Sequence, residues 1–518
     1  MFMRKLLFLI IGIAAYNNIF SQSPDDVIRN AWFIPNGTAR SISVGGAIGA
    51  LGGDITSAYV NPAGLGFYKT KEAVISPAFL FNNNKTDFRG TSLNNIKRSG
   101  FQLGATGVVV GGKINNSGQS TAFSISINQL ASYNNKISYE GLNDYSSYAE
   151  QYRDQLADNN ADVNSASNDY PFGSSLAFFT YLVDSVADDS GNVIGYKTLS
   201  PVGNGNVVKQ QYSEIDKGGL YELSFGFASN DKDKIYLGAS INIPLSFFNQ
   251  DIVFTESDAG SDIHNDFNYS TLTQKHSLNG FGINGRIGII YKPQNSLRLG
   301  LAFHTPSFMS FTDKLHVEMT TDTEDFQGVL TSKSSDFPNA LEKTNYNEIT
   351  PYKIIASAAY VFREVENVKL QKGFITADIE YVNHRGSRFS QQEDDNGYQD
   401  PAVDDYYHSL NDIIKSYYKG AFDFRLGGEV KFSPLAIRLG AAYYGSPYND
   451  KNLKANRILF AGGLGYRNYG MFVDLTFTET FNKDVNFPYR LNPAYKANTF
   501  ATLKNQRANV LLTIGIKF

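Results

Sequence analysis

The chain has 518 residues, with 46 Lys plus Arg against 50 Asp plus Glu, a formal net charge of −4. That balance, without basic runs, excludes a nucleic-acid binder held by a positive surface. A mean hydropathy of −0.28 excludes a polytopic helical membrane protein. Zero cysteines exclude disulfides, thiolate metal sites, a cysteine nucleophile and a lipidated N-terminal cysteine. What remains is a heavy load of Phe (38), Tyr (32) and Gly (46) with a single Trp, which points to extensive, tightly packed β structure.

The N-terminus reads as an export signal over residues 1–21. Arg4 and Lys5 form a short positive region, Leu6–Ala15 is apolar, and Ile19-Phe20-Ser21 offers a small residue before a cut at Gln22. The apolar run is about half the length of a spanning helix, so it directs export and does not anchor. Residues 22–70 differ from everything after them. Gly45-Gly46-Ala47, Gly52-Gly53-Asp54 and Asn61-Pro62-Ala63-Gly64-Leu65-Gly66 make a small, mostly uncharged stretch. Gly and Ala permit close backbone packing and Pro62 fixes a bend, properties suited to a plug folded inside a confined space.

From residue 71 to 518 the chain reads as strands with period-2 alternation. In the last segment Ala508, Val510, Leu512, Ile514, Ile516 and Phe518 share one face, and Arg507, Asn509, Thr513, Gly515 and Lys517 the other. The same pattern marks Ile235–Phe247, Leu297–Phe303 and Phe422–Phe432. A soluble sandwich would turn the apolar face inward; a membrane barrel would turn it to lipid and line its lumen with charges and glycine. Alternation alone does not choose, but the connections do. About fourteen strand candidates, near 71–81, 100–110, 120–131, 219–229, 234–247, 270–292, 296–311, 351–363, 373–383, 420–432, 435–445, 457–467, 469–481 and 507–518, are joined by links that alternate short and long. Asn230–Asp233, Pro293–Asn295 and Ser433-Pro434 are short; Asn82–Ser99, Ser132–Gly218, Phe248–Tyr269 and His384–Lys419 are long. The expectation is all-β: a fourteen-stranded antiparallel transmembrane β-barrel with a periplasmic N-terminus, an N-terminal hatch in the lumen and long extracellular loops. Two links are rich in Asp and Tyr. Asp144–Asn160 has a helical look, and Gln391–Tyr418 reads either as solvated loop or as a docking face or lid.

Some literal motifs carry no chemistry here. Gly280-x-Gly282-x-x-Gly285 matches a dinucleotide fingerprint but runs on as strand to Tyr291, without the helix N-terminus that receives a pyrophosphate. Asp394-Asp395-Asn396-Gly397 fails two carboxylate positions of a calcium loop. Six scattered histidines form neither a metal motif nor a triad, so no metal, no cofactor and no catalytic residue is expected, and the chain does not read as an enzyme.

Three runs in order along the chain carry a resemblance. The first is Gly45-Gly46-Ala47, Gly52-Gly53-Asp54 and Asn61-Pro62-Ala63-Gly64-Leu65. The second is Gly280–Lys292 followed by Leu297–Pro306, and the third Ile437–Tyr444 with Gly462–Tyr466 beyond it. Together they resemble the FadL/TodX family of outer-membrane transporters for hydrophobic compounds. The resemblance implies a fourteen-stranded barrel with an internal hatch formed around Gly45, Gly46, Asp54, Asn61, Pro62, Ala63 and Gly64. It further implies passive uptake of small hydrophobic molecules, fatty-acid-like or aromatic. The family often has an arginine where this chain has His304. The other lumen-side cations are Arg286, Arg298 and Arg438, available for a ligand carboxylate or for pairing with Asp378, Glu380, Asp423 and Glu429. Pro244 and Pro306 break strand geometry, and a wall break there would let a ligand leave sideways. Expected partners are a small hydrophobic ligand, outer-membrane lipid and lipopolysaccharide, and through the long loops other outer-membrane or surface proteins; no nucleic acid is expected. The alternative is a structural barrel subunit of a larger outer-membrane secretion or assembly complex, docking through those loops.

Overall fold

The computed structural model describes residues 24, 26–114, 119–203, 205–260, 264–363, 371–393, 397–451, 453 and 455–518. The export signal lies outside them, as do Asp394, Asp395 and Asn396. The described residues form a closed antiparallel barrel of fourteen strands. They are β1 (Lys71–Ile75 continuing as Pro77–Phe88), β2 (Thr91–Leu103 and Thr106–Ile114), β3 (Gln119–Ser132 and Asn135–Asn143), β4 (Val208–Asp231), β5 (Ile235–Asp258), β6 (Tyr269–Gln294) and β7 (Leu297–His304 and Phe308–Asp322). They continue as β8 (Lys343–Ile349 and Lys353–Phe362), β9 (Gly373–Asn383 and Arg388–Gln391), β10 (Gly420–Phe432), β11 (Leu435–Tyr444), β12 (Arg457–Asn468), β13 (Met471–Asn486) and β14 (Ala501–Lys517). Closure is made by β1 on β14, with Glu72 opposite Lys517 and Ala78 opposite Leu511.

Burial resolves the ambiguity of the alternation. On β11 Leu439 is 69% exposed while its neighbour Arg438 is 1% exposed. The same inversion holds along β5, where Leu237 and Ile241 face out and Ser240 and Asn242 are buried. An apolar exterior around a polar, charge-bearing interior is the arrangement lipid imposes on a barrel. No helix among the described residues is long and apolar enough to cross a membrane.

One end of the barrel carries tight turns and the other the long links. At the loop end the strands run on well past the apolar band. The link expected over Asn82–Ser99 is instead a hairpin, β1 to β2, turning at Arg89-Gly90 with both residues at positive φ. Likewise β5 reaches Asp258, within the expected link Phe248–Tyr269, and β4 starts at Val208, within the expected loop Ser132–Gly218. Above the lipid the outer faces of these strands are mostly polar, as at Asn83, Lys85 and Asp87 of β1, so the lipid-facing alternation stops there. The rest of that loop folds as helices Ala149–Asp158, Val163–Asn168 and Ser174–Phe179 with the hairpin Val183–Ala187/Val193–Thr198. It builds a core with Phe88, Phe254 and Leu503 from the extended strands and Tyr489 from the link between β13 and β14. Glu256 at the tip of β5 fastens this cap: it accepts from the backbone N–H of Tyr148 (2.9 Å), Nε2 of Gln210 (2.6 Å) and the hydroxyls of Ser147 (2.5 Å) and Ser200 (3.3 Å). Burial, offset in part by those bonds, pushes its carboxyl up to about 7.

Candidate functional site

The lumen is filled by the chain's own N-terminal segment, residues 26–68. Its elements are short: helices Asp26–Arg29, Ala39–Ser43 and Ser57–Val60 and a 3₁₀ turn Pro62–Phe67. Thr38 caps the second helix by accepting from Ser41 N–H. Asn61 caps the 3₁₀ turn, with Pro62 pre-set at its first position. The segment is held to the wall by backbone contacts. Ala39 N–H donates to Thr513 Oγ1 (2.8 Å), Thr476 Oγ1 donates to Ala39 O (2.6 Å), and Gly49 N–H donates to Asp378 Oδ2 (3.1 Å). Glycines of the barrel interior permit this approach. A Cβ on Gly440 would stand 2.1 Å from Gly45 N, and one on Gly427 2.3 Å from Val44 O. One on Gly300 would stand 2.6 Å from Gly49 O. Gly45 and Gly46 themselves adopt φ of +70° and +78°, open to glycine at no steric cost.

The residues read from the sequence as hatch are knitted together. Asp54 accepts from Thr38 Oγ1 (2.8 Å) and Thr56 N–H (2.9 Å) and lies 3.9 Å from Arg40. Asn61 Nδ2 donates to Gly49 O (2.6 Å) and to Ile289 O of the wall (3.3 Å), and its Oδ1 accepts from Ala63 N–H (3.2 Å). Gly64 O accepts from Gly53 N–H at 3.0 Å, closing the Gly52-Gly53 turn onto the 3₁₀ turn.

The four basic candidates are dispersed. Arg286 pairs with Glu222 (2.6 Å) and His304 Nε2 meets Val60 O (2.8 Å). Both line a cavity of about 80 Å³ with Lys353, Glu380 and Arg425. That is too small for a ligand chamber, which typically needs roughly 300 Å³ or more. Arg298 reaches Leu51 O and lies 4.6 Å from the Phe67 ring, against the N-terminal segment. Arg438 is held between Glu429 and Asp474, at 2.6 Å from each. Arg425 pairs with Glu380.

Larger spaces lie on the loop side of the segment. One chamber of about 230 Å³ is walled in part by Trp32, Phe33, Ile42, Leu80, Leu130 and Leu459, and a second of about 350 Å³ sits beside it, the two together exceeding the size a ligand chamber needs. Arg29, Tyr133, Arg457 and Arg507 border both. The Pro401–Tyr417 helix of the Gln391–Tyr418 link packs over the mouth. Asp400 caps it, accepting from Ala402 N–H (2.9 Å), and Tyr406, Tyr407, Leu410 and Ile414 bury against Val27, Ile28 and Phe389. It rests on the start of the N-terminal segment and is not a solvated loop.

The wall is interrupted beside the first chamber. The loop-side half of β2, Thr91–Leu103, pairs only with β1, and that of β3, Asn135–Asn143, only with β4. Their ladder ends at Thr106 opposite Ile127. The freed carbonyls of β3 accept instead from side chains of β1: Asn84 Nδ2 to Lys136 O (2.6 Å) and Thr86 Oγ1 to Ser138 O (2.7 Å). So β3 steps inward behind β2 and leaves a seam. At Pro244 the ladder to β4 continues through Glu222 and the ladder to β6 loses two pairs without a change of register. At Pro306, β7 bulges over Thr305–Ser307, with Thr305 and Gly285 bonded in both directions at 3.0 Å. The long interruption thus lies at neither proline.

Sequence reasoning passed over Arg29, Trp32, Arg457, Arg507, Glu214 and Asp216. Arg507 alone carried a signal, its place on the lumen face of β14. Glu214 and Asp216 were hidden in an expected loop that is strand.

An antiparallel barrel with a lipid-type exterior and a lumen occupied by its own N-terminal segment defines a class of membrane β-barrel. Its fold resembles that of the FadL/TodX family. The "Pseudomonas aeruginosa FadL homologue" matches with a TM-score of 0.53 at 11% identity, over 94% of this chain and 100% of that one. The "Pseudomonas putida toluene transporter TodX" matches with a TM-score of 0.50 at 12% identity, over 94% and 100%. No family model and no curated protein matches the sequence.

Proposed function

We propose that this protein resides in a bacterial outer membrane and passes small hydrophobic or amphiphilic molecules passively through a hatch-gated barrel. Residues 22–70 act as the hatch and residues 71–518 as the barrel, with the loop end facing outward. The observation that carries this reading is the pairing of a blocked lumen with two chambers on the loop side, one of them beside a seam in the wall. A ligand entering past the Pro401–Tyr417 helix meets apolar Trp32, Phe33 and Leu130 next to that seam, and can pass into lipid without crossing the hatch. The toluene transporter among the structural neighbours is compatible with such a route. Arg286, His304, Arg298 and Arg438 serve the hatch and the barrel interior in this reading, and the ligand lies elsewhere.

The test is reconstitution. In a planar bilayer the intact protein gives little steady conductance, while in liposomes it speeds equilibration of a hydrophobic fluorescent probe over protein-free vesicles. A large, permanently open conductance would rule out a seated hatch. Absence of probe transfer together with stable co-purification of other envelope proteins would favour a structural subunit instead.

A further inference from the structure

The second chamber has the wrong chemistry for a plain hydrocarbon. Ligand pockets for apolar molecules are lined mainly by apolar side chains, yet this one is lined by Arg457, Arg507, Glu214, Asp216, Gln250 and Asn482 among other polar groups. Asp484 and Arg29 line it too, Asp484 on the Arg457 side and Arg29 on the Glu214 side. Arg457 projects from β12 and Arg507 from β14, at the border with the first chamber. Among the described residues neither makes an ion pair. Arg457 donates to Trp32 O (3.2 Å) and stacks 3.6 Å from the centre of the Trp32 ring, and Arg507 donates to Ser132 O (2.8 Å). The Nε of each is buried without a hydrogen-bond partner. Two neighbouring guanidiniums held this way leave donors for an anion.

Glu214 and Asp216 stand two apart on β4 and therefore share a face. They share a hydrogen bond with each other, with Arg29 near both, and their other bonds come from neutral groups: Tyr212 Oη to Glu214 (2.5 Å), Asn486 Nδ2 to Glu214 (3.4 Å) and Gln250 Nε2 to Asp216 (3.0 Å). Two nearly buried carboxyls this close, with no ion pair within 4 Å among the described residues, need a shared proton or a cation between them, and a ligand cation can take the proton's place.

Resting on the transporter reading above, we infer that these two chambers form one binding site for a single-chain amphiphile with a zwitterionic head group. The anionic group sits between Arg457 and Arg507, the cationic group reaches Glu214 and Asp216, and the apolar chain lies against Trp32, Phe33 and Leu130 toward the seam. A fatty acid supplies only the first and third of these contacts, and toluene only the third.

Trp32 is the only tryptophan in the chain, so its fluorescence reports occupancy directly. The protein, in a fixed concentration of an uncharged maltoside detergent, is titrated with N-decanoyl-lysine, N-decanoyl-norleucine, decanoate and toluene. The first two share chain and carboxylate and differ in the ammonium. N-decanoyl-lysine is expected to bind at least about tenfold more tightly than N-decanoyl-norleucine, a difference one well-placed ion pair supplies. Glu214→Gln combined with Asp216→Asn removes that preference and leaves the norleucine compound unchanged; Arg507→Gln weakens both lysine and norleucine compounds. Retention of the heat-modifiable folded band on a denaturing gel shows that each variant is still a barrel. Equal affinity for the lysine and norleucine compounds, or a preference that survives the double carboxylate change, overturns the inference. Liposome uptake is measured on the same samples. Toluene transfer without head-group preference sinks the site and leaves the transporter. Head-group-selective binding without any transfer leaves the site and sinks the transporter.

Discussion

If the N-terminal segment is a hatch, loosening one side chain should open it, and Asn61 is the side chain to remove. It is 1% exposed and ties three things together: the segment to itself at Gly49 O (2.6 Å), the 3₁₀ turn at Ala63 N–H (3.2 Å) and the segment to the wall at Ile289 O (3.3 Å). Each net hydrogen bond contributes about 1 kcal/mol, and buried groups left unpaired add to the loss. Asn61→Ala should therefore cost about 3 kcal/mol of seating, roughly a hundredfold in the ratio of unseated to seated hatch. Gly288→Ala attacks the same contact from the barrel side, since its Cβ would stand 1.9 Å from Asn61 Oδ1. Both variants should raise single-channel open probability in a planar bilayer and speed protease cleavage within residues 36–68, with the folded barrel band unchanged. If both behave as the unaltered protein in both assays, the segment is not gating anything.

Two other perturbations have a defined direction. The cap over the barrel mouth is fastened by Glu256, whose carboxyl is raised from its ordinary 4.5 to about 7 by burial. A raised acid binds its proton more tightly in the seated state, so seating is strongest below about pH 4.5 and weakens by about 3 kcal/mol as pH rises to 7. Proteolysis of residues 144–207 should accelerate over that interval, and Glu256→Gln should flatten the dependence; a profile unchanged by Glu256→Gln would assign it to another group. In the lumen, Arg438→Met removes the close shared cation of Glu429 and Asp474 and leaves each buried with one longer contact, to Lys431 and to Arg467 at 3.6 Å. It should destabilise the barrel by about 3–5 kcal/mol, read as a lower temperature for loss of the folded band. Replacing Glu429 and Asp474 by Gln and Asn in the same variant should restore much of it.

The sequence showed most where lipid constrains it. In Ile235–Phe247 and Arg507–Phe518 one face must be apolar, so strands, parity and barrel closure are legible there. Above the lipid that constraint vanishes: Asn82–Phe88 is strand with polar residues on both faces, and it reads as loop. The packing of the N-terminal segment against the barrel interior was legible because close backbone approach demands glycine on both partners, as at Gly45 against Gly440. The seam was not. Proline signals a missing donor, and Pro244 and Pro306 are such places, but β3 leaves β2 through side-chain bonds from Asn82, Asn84 and Thr86 on a third strand. No local pattern encodes that. The chambers were illegible for a related reason. Arg29, Arg457 and Arg507 come from three distant elements, and only barrel closure brings them to one wall.

Gating by displacement of the N-terminal segment can be tested by tethering it. The chain has no cysteine of its own, and a Cβ on Gly49 would lie 3.0 Å from that of Ser357 on β8, a little short of the usual disulfide spacing. Gly49→Cys with Ser357→Cys should therefore close a bridge between segment and wall after a small shift. In proteoliposomes, the Asn61→Ala channel carrying this pair should conduct when reduced and fall silent when oxidised, with conduction returning on reduction. Conductance that ignores the bridge would show that current flows by a path the segment does not block, and would contradict the hatch.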